Sequence, residues 1–214
     1  MTDKLYDLIL CDPPWFYNNR KAGGERNNKT KFGGGAEKHY PLMKVQDMLD
    51  PEKLFDINKI AKPDCIMFMW ATLPLLYDSE RRNPNRKPTE VWSKPHDCFT
   101  LLDGWGFNYK TVGFSWIKVT ESKKPFRGPG YYTSSNVELC LIATRGKRSF
   151  EPAEKMISQV VLSKRGAHSQ KPDIHKLIDR MYPDLDKIEL FARRPYKGWD
   201  VWGNEVESVE LGAV

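Results

Sequence analysis

The sequence predicts an α/β protein in which helices flank a mostly parallel central sheet. Short apolar or β-branched runs alternate along the chain with longer segments of helical periodicity, which is typical of such sheets rather than of barrels or bundles. The 214 residues fit one full-sized core, since single domains commonly reach ~200 residues. No internal repeat or linker interrupts the pattern. We therefore expect one domain over residues 1–214.

The apolar and β-branched runs predict seven strands, and helical spacing predicts four helices. The strands are expected at Tyr6–Cys11, Cys65–Trp70, Thr111–Lys118, Val137–Thr144, Gln159–Leu162, Lys187–Phe191 and Trp199–Trp202. The helices are expected within 44–60, 73–82, 95–104 and 172–182. The last helix has Pro172 in its first turn and Pro183 beyond its end, positions that suit proline.

Three segments match neither period and are expected to form flexible basic loops. They cover about 18–38, 81–95 and 119–135, and are rich in Gly, Asn, Pro, Lys and Arg. Long loops without regular structure inside a compact domain are usually functional or disordered.

The composition excludes several classes of protein. Hydrophobic residues make up 40% of the chain, too many for a disordered protein, yet no apolar run approaches the ~20 residues of a membrane helix. The N-terminal MTDKLYDLIL lacks the features of a secretory signal, and the four cysteines lie far apart without a metal-ligand pattern. These features predict a cytoplasmic protein with buried thiols, no metal site and no membrane partner. The net charge of +6 favours a polyanion such as nucleic acid.

The chemistry is expected at CDPPW, where the first strand ends. An acid in this position lies at the carboxyl edge of the sheet, where open α/β folds bind ligands. The proline pair removes two donors, so the Pro13 carbonyl can point outward without a local N–H partner. Together with the Asp12 carboxylate it forms two acceptors that match an NH₂ group, and Trp15 can stack on the flat ring that carries the amine.

Such a fork suits methyl transfer to an aromatic amine. Two acceptors localise the amine lone pair, and a fixed carboxylate stabilises the positive charge that develops as the amine attacks a methyl group. The alternative is that Pro13 and Pro14 merely end the strand, with Asp12 solvated and Trp15 covering the core.

Four segments resemble the MT-A70-like family of adenine N6-methyltransferases, which use S-adenosylmethionine. They are DPPW at 12–15, HYPLM at 39–43, FMWAT at 68–72 and SQKPDIHKLIDRMYPDLDKIELFARR at 169–194. The resemblance covers nearly the whole chain in matching order. It implies a Rossmann-like methyltransferase domain with S-adenosylmethionine as cofactor.

The same resemblance implies roles for individual residues. Asp12, Pro13, Pro14 and Trp15 form the catalytic clamp on adenine. The cofactor is expected to contact Lys171, Glu189, Arg193, Asn204 and Glu205. Glu189 and Glu205 also fall near strand ends, where acids can accept from ribose hydroxyls; solvated strand ends are the alternative for both. The family's large eukaryotic member has an extra segment before this first strand and a glutamine at the position of Glu205, so here we expect the pocket for the cofactor adenine to be closed differently.

Nucleic acid is expected to bind at the basic loops and at the segment after the catalytic turn, because a base must be flipped out of a duplex to be methylated. Tyr40 matches a family tyrosine near the target base, and His39 is expected to line the same pocket. The remaining candidates are Arg20, Lys123, Lys124, Arg127, Tyr131 and Arg165. His96, His168 and His175 are expected to be surface or packing residues.

Transfer of a methyl group to the N6 amine of adenine in DNA is the leading functional hypothesis. DNA is favoured because the chain is short, has no appended RNA-binding module and is most similar to the bacterial and phage members. Three alternatives stay open: an RNA adenine N6-methyltransferase, a catalytically silent scaffold of the same fold, and a plain basic nucleic-acid-binding domain.

Overall fold

The protein is built around a seven-stranded sheet. The computed structural model describes residues 4–16, 42–77, 97–128, 132–164 and 170–211. The strands are β1 (Tyr6–Cys11), β2 (Ala61–Ala71), β3 (Asn108–Val119), β4 (Val137–Arg145), β5 (Val160–Lys164), β6 (Lys187–Leu190) and β7 (Asp200–Trp202). The helices are α1 (Val45–Met48), α2 (Cys98–Gly104) and α3 (His175–Met181), with 3₁₀ turns at Ile57–Lys59 and Leu73–Leu75.

The strand order across the sheet is β5-β3-β4-β2-β1-β6-β7. Among the described strands, four of the six neighbouring pairs are parallel, and only β4 runs against its two neighbours. The carboxyl ends of all the other strands and the amino end of β4 therefore meet at one edge. From β1 the chain continues to β2 on one side, while β6 and β7 lie on the other. The border between β1 and β6 is thus a topological switch point, where open α/β sheets bind ligands.

Helices cover both faces of the sheet and give two apolar layers. On one face Val45 of α1 and Leu101 of α2 pack in a cluster with Ile9 of β1. On the other face Ile178 of α3 packs in a cluster that contains Leu10. Alternate side chains of β1 thus enter opposite layers, as the two-residue period of a strand requires. The prediction of a mostly parallel α/β sheet flanked by helices is confirmed.

All seven predicted strands are present, with ends displaced by a few residues. β2 and β3 are longer than predicted, whereas β6 ends one residue earlier, at Leu190, and β7 begins one residue later, at Asp200.

The helices are shorter than their apolar spacing predicted. Of the segment 44–60, in which a helix was expected, α1 covers only Val45–Met48. It stops there because Asp50 precedes Pro51, and the residue before a proline avoids helical geometry. In the described part of 73–82 the structure has only a 3₁₀ turn, Leu73–Leu75. α2 begins after Asp97, whose carboxylate caps it by accepting from the Thr100 N–H at 2.6 Å.

The described part of segment 119–135 contains a hydrogen-bonded turn, although the sequence predicted no regular structure there. Val119 forms a bridge with Pro125, and the Thr120 N–H donates to the Lys124 carbonyl at 2.8 Å. The predicted loops at 18–38 and 81–95 lie outside the described residues.

Two further findings concern the described residues alone. They include no helix long and apolar enough to cross a membrane, and no group of His, Cys, Asp and Glu placed to hold a metal ion. The four cysteines are buried free thiols, as predicted, and burial raises the pKa of the Cys65 thiol to about 12.

Candidate active site

The DPPW turn begins where β1 ends, next to β6. Asp12 follows Cys11 directly, and its N–H donates to the Leu190 carbonyl at the end of β6. The segment then pairs with Met43, the last residue of the HYPLM element: the Met43 N–H donates to the Pro14 carbonyl at 2.8 Å, and the Phe16 N–H donates to the Met43 carbonyl at 3.1 Å. The structure therefore fixes Asp12 at the switch point of the sheet.

Two details of the clamp differ from the prediction. The Pro13 carbonyl accepts a hydrogen bond from the Trp15 N–H at 2.8 Å, so the expectation that no local N–H engages it is wrong. The turn brings that N–H back onto the carbonyl, although a carbonyl oxygen retains a second lone pair. The Trp15 ring is only 4% exposed, and its indole N–H donates to the Trp70 carbonyl at 3.3 Å. Trp15 is thus a core residue that anchors the turn.

Charged side chains of alternating sign form a chain from Asp12 into the sheet edge. The Lys171 Nζ lies 3.2 Å from the Asp12 Oδ1 and 2.7 Å from the Glu138 Oε2. Lys118 forms an ion pair with the other oxygen of Glu138. Lys118 is the last residue but one of β3 and Glu138 is the second residue of the antiparallel β4, so both lie at the edge at which β1 ends. The four groups, Asp12, Lys171, Glu138 and Lys118, are called the charged chain below.

Burial and ion pairing act in opposite directions on these groups. Burial raises the pKa of Asp12 above its ordinary value, and the charge of Lys171 only partly offsets that rise. Burial also acts to raise the pKa of Glu138, but Lys171 and Lys118 together hold it below its ordinary value. Burial acts to lower the pKa of Lys171, yet Asp12 and Glu138 outweigh it and raise the pKa, so the ammonium stays protonated.

A second polar group lies beside the first, at the end of β6. Glu189 pairs in register with Leu10 of the neighbouring β1, and its Oε2 lies 2.8 Å from the Nε2 of His175. The other ring nitrogen of His175 lies 3.0 Å from the Asp173 Oδ1. The structure thus brings the predicted cofactor residue Glu189 to the same switch point as Asp12.

Three other predicted cofactor residues lie after β6 and β7. The Arg193 Nε donates to the Glu205 Oε1 at 2.8 Å, so these two residues form an ion pair with each other. Asn204 is exposed beside them. The preceding residue, Gly203, has no room for a side chain, because a Cβ there would lie 2.2 Å from the Ala192 carbonyl oxygen.

The predicted substrate residues divide into two sets. Lys123, Lys124 and Arg127 are exposed on the turn that follows β3, at the same edge as Asp12. Arg20, His39, Tyr40, Tyr131 and Arg165 lie outside the described residues.

Sequence reasoning missed Lys118, Glu138 and His175. Both Lys118 and Glu138 are charged residues within the predicted strands, which was an available signal, but their proximity follows from the antiparallel pairing of β3 and β4. His175 was expected at the surface or in packing. It is indeed buried, and it also contacts two carboxylates.

A mostly parallel α/β sheet with helices on both faces is consistent with a Rossmann-like methyltransferase fold. The family profile described as MT-A70 matches residues 6–205. The chain belongs to the MT-A70 family of adenine N6-methyltransferases.

Three relatives illustrate the range of the family. The chain is 34% identical to the type II methyltransferase M.MunI of Mycoplasma sp, over 95% of this chain and 78% of that protein. It is 28% identical to the N6-methyladenosine RNA methyltransferase MTA1 of Cryphonectria parasitica, over 94% of this chain and 52% of that one. It is 26% identical to the human N(6)-adenine-specific methyltransferase METTL4, over 95% of this chain and 38% of that protein.

Proposed function

We propose that this protein transfers a methyl group from S-adenosylmethionine to the N6 amine of adenine in DNA, with Asp12 as the residue that meets the amine. The observation that carries the proposal is the position of the Asp12 carboxylate. It lies at the switch point between β1 and β6, 27% exposed, and is held by Lys171 at 3.2 Å.

The charges around the switch point fit the proposed cofactor. S-adenosylmethionine carries ribose hydroxyls, a positive amino group, a carboxylate and a positive sulfonium. Glu189 is an acid at a parallel strand end, which suits ribose hydroxyls, and Lys171 and Arg193 are cations that suit the carboxylate. Bound there, S-adenosylmethionine supplies an electrophilic methyl group on a sulfonium that leaves as a neutral thioether.

Asp12 acts on the amine in this mechanism. Its carboxylate accepts a hydrogen bond from the N6 amine and orients the nitrogen lone pair toward the methyl group. As the N–C bond forms and the C–S bond breaks, the nitrogen becomes positive, and the nearby carboxylate stabilises that charge. The amine then releases one proton. Burial, which raises the pKa of Asp12, makes this carboxylate a better proton acceptor than a solvated one.

Pro13 and Trp15 support the turn that presents Asp12. The second lone pair of the Pro13 carbonyl can accept from the amine, while the first is used by the Trp15 N–H. Because the Trp15 ring is held in the core by the Trp70 carbonyl, we assign it the role of fixing the turn.

Two observations support DNA as the substrate. The relative that this chain matches over 78% of its length is named as a type II methyltransferase, whereas the named RNA methyltransferase is matched over 52% of its length. The net charge of +6 and the exposed Lys123, Lys124 and Arg127 at the active edge suit a phosphate backbone. RNA is the second candidate, because the chain is also similar to a named RNA methyltransferase.

The test is transfer of labelled methyl groups to DNA and RNA of matched sequence. We expect label in the N6 position of DNA adenine, and Asp12→Asn should reduce the rate at least ~100-fold, since it removes charge stabilisation at the reacting nitrogen. Asp186→Asn is the matched control, because Asp186 forms ion pairs with Lys4 and Lys62 at the opposite edge of the sheet.

Each alternative gives a different result. Label found only in RNA replaces the DNA proposal with the RNA one. Nucleic-acid binding without transfer by the unaltered protein supports the silent scaffold, and failure to bind S-adenosylhomocysteine supports a plain basic binding domain. Full activity of Asp12→Asn removes Asp12 from the mechanism.

A further inference from the structure

His175 is a buried polar residue to which the proposed mechanism assigns no role. It is the first residue of α3 and is only 4% exposed. Its ring stacks on Tyr196, with centroids 4.2 Å apart and planes 14° from parallel, and meets the edge of Trp199 at 4.8 Å. These two contacts fix both the position and the plane of the imidazole.

Each ring nitrogen faces a carboxylate. Nδ1 lies 3.0 Å from the Asp173 Oδ1, and Nε2 lies 2.8 Å from the Glu189 Oε2. Asp173 also accepts from the backbone N–H of His175 at 3.1 Å, so the loop before α3 holds this acid in place. With Asp173 on one nitrogen, the other nitrogen is aimed at Glu189.

Glu189 is, beside Asp12, the second acid at the switch point. It lies on β6 next to β1, and its side chain is 16% exposed, so part of it remains accessible at this edge of the sheet. A carboxylate has about four acceptor positions, and the contact with His175 uses one. A glutamate side chain has several rotatable bonds, so a partner that holds it in one rotamer removes an entropy cost from ligand binding.

We propose that His175 is a positioning residue that holds Glu189 in the orientation needed to accept from the ribose hydroxyls of the cofactor. This inference rests on the proposed function, because it assumes that the adenosyl cofactor binds at this crevice. His175 acts on cofactor affinity through Glu189 and takes no part in the transfer step.

The experiment compares substitutions that keep or remove a hydrogen-bonding group at the Nε2 position. His175→Phe keeps a flat ring against Tyr196 but donates no hydrogen bond, while His175→Gln can place an amide N–H near the Nε2 position. We expect His175→Phe to weaken S-adenosylhomocysteine binding about five- to tenfold in calorimetry, and His175→Gln to retain affinity within about threefold. The KM for S-adenosylmethionine should rise by the same factor, with kcat and the KM for nucleic acid unchanged.

Cofactor analogues without ribose hydroxyls separate positioning from general damage. The 2′-deoxy and 3′-deoxy forms of S-adenosylhomocysteine are the probes. Where the missing hydroxyl is the one that Glu189 binds, His175→Phe and the unaltered protein should bind the analogue equally. Glu189→Gln should already lose the same interaction, so adding His175→Phe to it should cost little more.

Each outcome decides the inference. Unchanged affinity in His175→Phe overturns it, as does an equal loss of affinity for both deoxy analogues and the parent ligand. If His175→Phe does not fold, as judged by its thermal transition, His175→Asn replaces it, since its shorter amide does not reach the Nε2 position; equal affinities of His175→Asn and His175→Gln then overturn the inference. Failure of the unaltered protein to bind S-adenosylhomocysteine refutes the proposed function instead.

Discussion

Replacing Lys171 with methionine tests how the protein controls the charge of Asp12. The substitution keeps an unbranched side chain of similar length and removes the ammonium that lies 3.2 Å from Asp12 and 2.7 Å from Glu138. Glu138 keeps Lys118 as a partner, whereas Asp12 loses the cation in contact with it. The variant therefore isolates the effect of Lys171 on the carboxylate.

The magnitude follows from the distance. Two unit charges 3.2 Å apart attract by about 5 kcal/mol at an effective dielectric constant of about 20. The two side chains are 21% and 27% exposed, so water screens part of this attraction, and we take about 2 kcal/mol as the net effect on the charged form of Asp12. If the transfer step requires that form, a loss of 2 kcal/mol lowers its rate about 30-fold.

The pH dependence of the rate shows whether the loss of activity in Lys171→Met comes from protonation of Asp12. Burial raises the pKa of Asp12, and the charge of Lys171 acts in the opposite direction, so removing Lys171 raises the pKa further. The acidic limb of the rate against pH, below which Asp12 is protonated, should move to higher pH. Raising the pH should therefore restore part of the activity that Lys171→Met loses at neutral pH.

The assay is single-turnover methyl transfer at saturating cofactor between pH 5 and 9. Lys62→Met is the matched control, because Lys62 also joins two carboxylates, Asp7 at 2.7 Å and Asp186 at 2.9 Å, but at the amino edge of the sheet. It should lose stability and retain the wild-type pH profile. A Lys171→Met rate within twofold of wild type, with an unmoved acidic limb, would refute the role of Lys171.

Three further changes test other parts of the site. Glu138→Gln removes a carboxylate whose pKa lies below its ordinary 4.5, so the stabilisation it supplies is present above that pH and is lost as the pH falls through the folded-state pKa; urea unfolding should show a deficit of about 1 kcal/mol at pH 7 that becomes smaller as the pH is lowered. Gly203→Ala places a Cβ 2.2 Å from the Ala192 carbonyl oxygen, so the free energy of unfolding should fall by roughly 1–3 kcal/mol in the same assay. Lys123→Gln combined with Lys124→Gln should weaken nucleic-acid binding and reduce the slope of log affinity against log salt by about 2, measured by fluorescence anisotropy.

Each of these changes has a control in the same chain. Glu121→Gln alters an 83% exposed side chain and should cost below ~0.5 kcal/mol at each pH. Gly198→Ala is strained only by its positive φ of 85°, with nothing within 4 Å of the new Cβ. Lys59→Gln with Lys147→Gln removes two exposed charges near the amino edge and should leave the salt slope unchanged. If a control variant shows the same change as its test variant, the effect does not depend on the contact or surface proposed for the test residue.

The strands could be predicted from the sequence because they depend on local patterns. Runs such as Tyr6–Cys11 are apolar over the length of one strand, and the structure has β1 at these same residues. The helix expected within 44–60 is short because the apolar spacing continues past Pro51, whereas the backbone before a proline avoids helical geometry. In this segment the effect of Pro51 on the backbone outweighs the helical spacing of the apolar residues.

The place of Asp12 could be predicted because the DPPW motif is local in the sequence. Asp12 follows a buried strand directly, so the sequence alone indicated its place at the sheet edge. Glu138 and Lys118 are 20 residues apart in the sequence and meet because β3 and β4 pair in opposite directions. The burial of Trp15 also depends on a distant partner, the carbonyl of Trp70 on β2. Such long-range contacts could not be read from local patterns.

Under the proposed function, the charged chain allows Asp12 both to stay ionised and to accept a proton. Its four groups alternate in sign and sum to zero, so an uncharged amine meets a carboxylate whose charge is already balanced. Under the proposed function, methyl transfer moves one positive charge from sulfur to nitrogen without changing the total, and the nearest fixed negative charge to that nitrogen is Asp12. Tighter pairing with Lys171 would keep Asp12 charged but would make it a weaker acceptor for the proton released afterwards. Burial raises the pKa of Asp12, whereas pairing with Lys171 lowers it. The balance of the two effects suits a carboxylate that must stabilise the positive nitrogen and then accept its proton.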